Sequence, residues 1–208
     1  MRLAILGASG HGKVVADAAC LSGWDEVAFF DDAWPAVAKN GPWEVVGRSA
    51  DLLAQATGFD GVVVAIGNNR IRMARQQELV DAGLNMVSVV HPSAVISRHA
   101  VVGAGSVVFA NSVVNACASV GAGCIVNTGA IVEHDCVVGD FSHLSPNVVL
   151  AGGVSVGQQV WVGAGASVKQ LVIIGDEVTV GIGSVVLRDV PAGKTVVGVP
   201  ARPVNIQD

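Results

Sequence analysis

The second half of the chain carries an aliphatic residue at every sixth position, and no position of the series is missing. Glycine often follows this residue, and from Val102 onward a small or β-branched residue stands four places after it. A six-residue repeat predicts a parallel β-helix, in which each hexad forms one short strand and one turn. The aliphatic and small positions then point inward and stack on their equivalents in neighbouring coils. The aliphatic series is Val90, Ile96, Val102, Val108, Val114, Val120, Val126, Val132, Val138, Leu144, Leu150, Val156, Val162, Val168, Ile174, Val180 and Val186.

Residues 1–90 show a different pattern, in which predicted strands alternate with predicted helices. The first helix would share one face between Val14, Val15, Ala18 and Leu21, and the segment Ala33–Gly47 is predicted as a loop. Strand–helix alternation is typical of a parallel sheet covered by helices. The predicted strands are Arg2–Leu6, Glu26–Phe30, Gly61–Ile66 and Met86–Val90, and the predicted helices are Lys13–Leu21, Ser49–Thr57 and Arg70–Ala82. The predicted fold is therefore an α/β domain with a parallel sheet at 1–90, followed by an all-β parallel β-helix at 91–208.

Composition excludes several classes of function. The net charge of −5 argues against nucleic acid, because such ligands require a basic face. No stretch approaches the roughly 20 unbroken apolar residues of a membrane span, so we expect a cytoplasmic protein without membrane insertion. The cysteines lack CxxC spacing, and we expect all of them to be reduced, buried small residues. They are Cys20, Cys117, Cys124 and Cys136.

Three motifs in the first region follow predicted strands. The glycine turn Gly7-Ala8-Ser9-Gly10-His11-Gly12 precedes the first helix, where backbone can approach a phosphate closely. Its GxxGxG spacing differs from the dinucleotide fingerprint. Asp31-Asp32 ends the second strand and Gly67-Asn68-Asn69 ends the third. Because ligands of open α/β sheets bind beyond the carboxyl ends of strands, the three motifs together predict a nucleotide site.

One histidine of the repeat region has the features of a general base. His134 occupies the third place of its hexad, which points outward, and it is flanked by Glu133 and Asp135. A neighbouring carboxylate orients an imidazole and raises its basicity. His143 lies nine residues further on, which is half of a three-hexad coil, so it falls on a different edge of the same triangle.

The motifs together resemble a known family. The repeat ending in Val197-Gly198-Val199-Pro200-Ala201-Arg202 resembles the left-handed β-helix acyltransferases, which implies the left hand of the coil and a Rossmann-like first domain. With GASGHG, FFDD, AIGNNRIR and NTGAIVEHDCVVGDFSHLSP, the chain is similar to bacterial nucleotide-sugar N-acetyltransferases that act on UDP-4-amino-4,6-dideoxy sugars. The resemblance covers essentially the whole chain and implies acetyl-CoA as cosubstrate, no metal, and a homotrimer with active sites between subunits.

The resemblance also implies residue roles. His134 would be the general base that assists direct attack of the sugar amine on the thioester. Asp135 would orient it, with Glu133 as a weaker alternative. The nucleotide-sugar would contact Ser9, Gly10, His11, Asp31, Asp32, Gly67, Asn68 and Asn127, and acetyl-CoA would contact His143, Gly152, Ala164 and Ile182.

Other functions remain open at this point. Related enzymes act on GDP-perosamine, and a hydroxyl acceptor would make the protein a sugar O-acetyltransferase. A β-solenoid that only binds a partner needs no base at position 134. A metal enzyme resembling β-helix carbonic anhydrases would need three converging histidines, whereas only His134 and His143 lie within the coils, with His99 near the first.

Overall fold

The computed structural model describes residues 1–55 and 58–204. It divides the chain into two compact units, residues 1–92 and 93–208. The sequence predicted this division at residues 90 and 91. In the described parts of the chain, no helix has the length and apolar character needed to cross a membrane.

The first unit is a parallel sheet with helices. Its strand order is β3-β4-β2-β1-β5, and every pairing is parallel except the β3–β4 hairpin. The core lies where Leu6, Phe30, Leu52, Val64 and Leu79 pack together. The elements are β1 (Arg2–Leu6), α1 (Gly10–Leu21), β2 (Glu26–Phe30), β3 (Lys39–Asn40), β4 (Trp43–Gly47), α2 (Ser49–Ala54), β5 (Gly61–Val64) and α3 (Asn69–Asp81). Strand β6 (Val89–Val90) follows but is not part of this sheet, and the predicted strand Met86–Val90 meets the sheet in an isolated bridge between Met86 and Val62.

Three predictions about this unit need correction. The segment Ala33–Gly47 is not all loop, because it contains β3 and β4. Helix α1 begins at Gly10, three residues before the predicted start, and its buried face consists of Gly12, Val15, Ala16, Ala18 and Ala19. Val14 and Leu21 were predicted on that face but are exposed. The predicted end of the second helix, at Thr57, lies outside the described residues.

The second unit is a parallel β-helix with three faces of stacked strands. The first face contains β7 (Val95–Ile96), β10 (Val113–Val114), β13 (Ile131–Val132), β16 (Val149–Leu150), β19 (Ser167–Val168) and β22 (Val185–Val186). The second contains β8 (Val101–Val102), β11 (Ser119–Val120), β14 (Val137–Val138), β17 (Ser155–Val156) and β20 (Ile173–Ile174). The third contains β9 (Val107–Val108), β12 (Ile125–Val126), β15 (His143–Leu144), β18 (Trp161–Val162), β21 (Thr179–Val180), β23 (Thr195–Val197) and the antiparallel β24 (Arg202–Val204).

From Val95 to Val185 each coil takes 18 residues, since Val113 pairs with Ile131, Ile131 with Val149, and Val149 with Ser167. The last coil takes 16, since Thr179 pairs with Thr195. The predicted inward positions are confirmed: from Val108 to Val186 the aliphatic series is at most 2% exposed. Burial of one such side chain contributes roughly 1.5–3 kcal/mol, so the stack of equivalent positions supplies a continuous core. We call the turns between the first and second faces corner 1, and the turns between the third and first faces corner 3.

The cysteine prediction is half right. Cys124 and Cys136 are buried at inward positions, as expected. Cys20 and Cys117 are exposed, because one lies near the end of α1 and the other occupies an outward turn position. All four are free thiols.

Candidate active site

The strand-end motifs of the first unit line one crevice of about 290 Å³. It forms because the carboxyl ends of the adjacent parallel strands β1, β2 and β5 meet at one edge of the sheet. Of the predicted residues, Ser9, Asp31, Asp32 and Gly67 contribute to its lining. The complete lining is Leu6, Gly7, Ser9, Asp31, Asp32, Ile66, Gly67, Ile71 and Arg75.

Asp31 holds the glycine turn in place. One of its carboxylate oxygens accepts a hydrogen bond from Ala8 N at 2.7 Å and the other from Ala33 N at 2.9 Å. The turn itself requires Gly7, whose φ is +113° and whose added Cβ would lie 2.9 Å from the Ala65 carbonyl oxygen. A carboxylate offers about four lone-pair sites, so Asp31 retains acceptor capacity toward a ligand.

Asp32 is the anionic centre of a small network at the crevice. Its Oδ1 accepts hydrogen bonds from the Ser49 hydroxyl at 2.6 Å and from Ser49 N at 3.0 Å. Its Oδ2 lies 3.1 Å from Nη2 of Arg75. The Ser49 hydrogen bonds, with a smaller contribution from Arg75, hold the pKa of the Asp32 carboxyl below its usual value. The sequence did not single out Ser49 or Arg75.

Gly10 and His11 open helix α1 directly after the turn. The Ser9 side chain makes no capping hydrogen bond, so the first-turn amides of α1 are not satisfied by that side chain. Burial, assisted by the charge of Arg72, lowers the pKa of His11 to about 4, and the imidazole is therefore neutral at physiological pH. A neutral imidazole beside helix amides suits a polar ligand that needs a hydrogen bond rather than a counter-charge.

Asn68 acts as the N-cap of helix α3. Its Oδ1 accepts a hydrogen bond from Ile71 N at 3.0 Å, which satisfies one of the free amides at the start of that helix. This capping explains the asparagine without a ligand. Arg72, only 1% exposed, donates to the carbonyl oxygens of Ile66 and Gly67 at 2.9 and 3.1 Å and fixes the end of the strand.

His134 lies on corner 1 of the β-helix, with its side chain 64% exposed. Its Nδ1 is 2.8 Å from Oδ2 of Asp135, and Glu133 lies beside its backbone, accepting from His134 N at 3.3 Å. The hydrogen bond to Asp135, followed by the charges of Asp135 and Glu133, raises the pKa of His134 above its ordinary value. Because Nδ1 faces a carboxylate, the neutral ring carries its proton there and presents the Nε2 lone pair.

Gly152 lies one coil above His134, and its Cα faces the imidazole ring. A Cβ added at Gly152 would lie 2.6 Å from both Cε1 and Nε2 of His134, so only glycine permits this ring position. The two residues share a cavity of about 330 Å³, whose lining is His134, Asp135, Gly152, Gly153, Gln170 and Leu171. Nε2 thus faces a space that can admit a small reactant.

The remaining predicted residues of this unit lie at the third face and corner 3. Nδ2 of Asn127 is 3.2 Å from Nε2 of His143, and Asn127 Oδ1 accepts from Thr128 N at 2.8 Å. Ala164 and Ile182 follow one coil apart on the same corner, where Gly183 N donates to the Ala164 carbonyl oxygen at 2.9 Å. Ile182 is 75% exposed.

Within one chain the two groups of residues are separated by the whole first face. His134 lies in the turn between the first and second faces, whereas His143 lies on the third face. Gly152, predicted as an acetyl-CoA residue, lies with His134, whereas Ala164 and Ile182 lie with His143. One chain therefore places the predicted residues in two groups on different parts of the coil.

Neither a metal-binding group nor a thiol lines the His134 cavity in the described part of the chain. Among residues 1–55 and 58–204, no three His, Cys, Asp or Glu side chains are grouped to hold a metal ion. Cys136 is buried with its Sγ 3.2 Å from the Ala151 carbonyl oxygen, and burial raises the pKa of its thiol. A neutral, buried thiol is a weak nucleophile. Cys117, the other thiol of corner 1, is exposed but is not part of the cavity lining, whereas His134 is.

Comparison with known proteins places these features in context. Residues 2–79 match the family model described as the PglD N-terminal domain. A curated relative, UDP-N-acetylbacillosamine N-acetyltransferase of Bacillus subtilis (strain 168), is 37% identical over 109 residues, which are 50% of this chain and 49% of that protein. The match thus spans about half the length of the curated relative.

Two solved structures match over nearly the full length. The acetyltransferase domain of PglB from Neisseria gonorrhoeae FA1090, in complex with acetyl coenzyme A, has a TM-score of 0.94 and 39% identity, covering 98% of each chain. A variant of perosamine N-acetyltransferase from Caulobacter crescentus, in complex with CoA and GDP-perosamine, also has a TM-score of 0.94 and 39% identity. That match covers 99% of this chain and 98% of the other.

A hexad β-helix with an imidazole on an open corner is typical of the hexapeptide-repeat acyltransferases, to which the matched structures belong. The predicted fold class, a Rossmann-like domain followed by a left-handed β-helix, is confirmed by these matches. The chain belongs to the bacterial nucleotide-sugar N-acetyltransferase family of that class.

Proposed function

We propose that the protein transfers the acetyl group of acetyl-CoA to the amino group of a nucleotide-linked amino-deoxy sugar, with a UDP-4-amino-4,6-dideoxy sugar as the first choice. The observation that carries this proposal is the imidazole of His134, which is bound to Asp135 through Nδ1 and presents Nε2 to a cavity. The acetyl-CoA and GDP-perosamine in the matched structures, and the UDP-sugar in the curated relative's name, support both substrate classes.

The chemistry is a direct transfer. The neutral sugar amine attacks the thioester carbonyl carbon, and Nε2 of His134 takes the proton that the nitrogen loses as the C–N bond forms. The C–S bond then breaks, and the imidazolium returns the proton to the departing thiolate. Asp135 stabilises the imidazolium, which is why its hydrogen bond to Nδ1 raises the pKa of His134. No residue needs to become acetylated.

The first unit would bind the nucleotide part of the acceptor. Asp31 and Asp32 offer carboxylate oxygens to N–H and O–H donors of a base or ribose, and the amides after Ser9 suit the pyrophosphate. Gly67 lines the same crevice, with Gly10, His11 and Asn68 beside it. The second unit would bind acetyl-CoA through His143, Ala164 and Ile182 on one corner and Gly152 on another.

The test is a transfer assay with purified full-length protein. Acetyl-CoA is incubated with UDP-, GDP- and CMP-linked 4-amino sugars, and products are followed by mass spectrometry together with release of free coenzyme A. We expect the mass gain of one acetyl group on a nucleotide-linked amine. Acetylation of a hydroxyl on a free sugar acid would instead establish the O-acetyltransferase alternative, and no thioester cleavage with any acceptor would leave only the binding scaffold.

The pH dependence of transfer reports on the carboxylate beside His134. An imidazole accepts a proton only when neutral, so kcat/KM should rise as pH rises through the raised pKa of His134. Asp135→Asn should move this inflection to lower pH, because the neutral amide no longer favours the protonated ring. Asparagine suits the left-handed backbone of position 135, where φ is 60°, so the fold should be retained.

A matched variant separates the two acidic neighbours. Glu133→Gln should shift the inflection less than Asp135→Asn, because Glu133 contributes only through its charge. The measurement is a kcat/KM profile at varied pH for all three proteins. An inflection that Asp135→Asn leaves in place, or that Glu133→Gln moves further, would contradict the assignment of Asp135.

We further propose a homotrimer in which each active site lies between two subunits. Two observations support it: the groups of residues with His134 and with His143 lie on different parts of the coil in one chain, and the flat second face exposes apolar side chains. Val101, Val137 and Ile173 are 62%, 50% and 56% exposed on that face, where they alternate with Ser119 and Ser155 in one row. Exposed apolar side chains on a flat face favour association. We also propose a cytoplasmic location.

Complementation tests the shared site. His134→Ala and His143→Ala should each be nearly inactive alone. When the two variants are co-expressed and purified as mixed assemblies, roughly a quarter of the interfaces should combine an intact His134 with an intact His143 from a neighbour. We expect activity to return in proportion. Mixed assemblies that stay as inactive as the parents would show that both histidines serve a site within one chain.

A further inference from the structure

From residue 105 to residue 183, every sixth residue of the β-helix has a left-handed backbone, always at the same turn position. Glycine and asparagine adopt positive φ at least cost, and they occupy this position at Gly153, Gly165 and Asn147, for example. Other residue types occupy it elsewhere, namely Cys117, Asp135, Phe141, Gln159 and Glu177. Leu171 occupies the same position with φ of 64°. A leucine side chain cannot form the local hydrogen bonds by which asparagine offsets the cost, so the backbone does not explain its presence.

Core packing does not explain Leu171 either. The side chain is 74% exposed, among the highest values for large hydrophobic residues in this chain. An exposed leucine gains little from burial within its own subunit. Neither the backbone nor the core therefore accounts for an exposed leucine at this position, and backbone strain of this kind clusters at ligand sites.

The surroundings of Leu171 are the His134 cavity. Leu171 stands one coil above Gly153, and its Cδ2 lies 2.7 Å from where a Cβ of Gly153 would be. Its backbone N donates to the carbonyl oxygen of Gly152 at 3.1 Å. Corner 1 therefore carries an imidazole, then a coil of bare glycine, then an apolar side chain that closes the same cavity.

We propose that Leu171 is a binding residue for the acyl donor, forming the apolar wall against which the thioester end of acetyl-CoA packs beside Nε2 of His134. This inference rests on the proposed function. The methyl of the acetyl group and the two methylenes next to sulfur are apolar. The exposed side chain of Leu171, beside Gly152 and Gly153 in the cavity lining, offers them an apolar contact. Leucine occupies this position although its left-handed backbone lowers the free energy of unfolding.

Leu171→Asn tests this with two readouts of opposite sign. The KM for acetyl-CoA should rise roughly tenfold, because an apolar contact is lost, while the KM for the sugar nucleotide stays the same. The unfolding temperature should rise by about 2–4 °C, because asparagine relieves the left-handed backbone. Leu171→Met should restore most of the acetyl-CoA KM.

Glu177→Asn is the matched control. Glu177 has the same backbone conformation, with φ of 55°, and is exposed on a corner away from the His134 cavity. It should leave both KM values unchanged. An unchanged acetyl-CoA KM in Leu171→Asn, or a lower unfolding temperature, would overturn the inference. So would loss of assembly by light scattering, since Leu171 would then belong to a subunit contact.

The inference is separable from the proposed function. If the wild-type protein transfers no acetyl group, the proposed function fails. Leu171 is then judged by calorimetric titration of coenzyme A into the wild type and Leu171→Asn. Weaker binding by the variant supports the apolar wall, and equal dissociation constants overturn it.

Discussion

Replacement of His134 by alanine is expected to lower kcat/KM for acetyl transfer by about 10²–10⁴, the range that a positioned general base contributes. The loss should fall on kcat, because the ring acts on the proton that leaves the amine during bond formation. Stability should change little, since the side chain is 64% exposed and packs on no core residue. Steady-state kinetics with varied acetyl-CoA, alongside thermal unfolding, measures both quantities.

His99→Ala is the matched control for this variant. His99 is an exposed histidine of the same unit, in contact with Arg98, and lies on a coil below the candidate site. It should transfer acetyl groups at the wild-type rate. Wild-type activity in His134→Ala would sink the proposed mechanism outright, and a comparable loss in His99→Ala would point to a general effect on the β-helix.

Gly152→Ala is expected to lower kcat about 100-fold while leaving the fold intact. The new methyl group would overlap Cε1 and Nε2 of His134 at 2.6 Å, so the exposed ring must swing away from its position over the cavity. A displacement of about 1 Å in a reacting group costs on the order of 10²-fold in rate. The free energy of unfolding should change little, because only the solvent-exposed side chain of His134 has to move to remove the overlap.

Gly139→Ala provides the contrast. Its added Cβ would lie 2.6 Å from the backbone of Gly157, which cannot swing aside. We expect this variant to unfold at a clearly lower temperature, whereas Gly152→Ala unfolds near the wild type. A Gly152→Ala protein with normal kcat would mean that the ring position seen here is not the one used in catalysis.

The β-helix was predictable because its core residues recur at a short, regular spacing along the sequence. Each inward residue recurs six places later, so a register read from the sequence identified buried positions such as Val132 and Leu150 correctly. The hairpin of β3 and β4 was missed because its strand character depends on partners distant in the chain. Val45 is buried only through the pairing of β4 with β2, while the adjacent Val46 is exposed.

In the candidate site, too, the local features were predicted and the contacts between distant residues were missed. The hexad place of His134 predicted its outward direction and its carboxylate neighbour, and both are local properties. The network at Asp32 was missed because Ser49 and Arg75 lie 17 and 43 residues away. The sequence did not point to Leu171 as a site residue, because its left-handed backbone and its exposure become visible only in the structure.

The 18-residue coil also limits which insertions and deletions the β-helix can accept. His134 meets Gly152 because the two are one full circuit apart, so inserting or deleting a single hexad between them would bring a different edge of the prism over the imidazole. Length variation is compatible with catalysis only as whole circuits, or as loops that leave the winding and return to it in phase. Circuits added beyond Val186 would extend the β-helix without changing the residues that meet at His134.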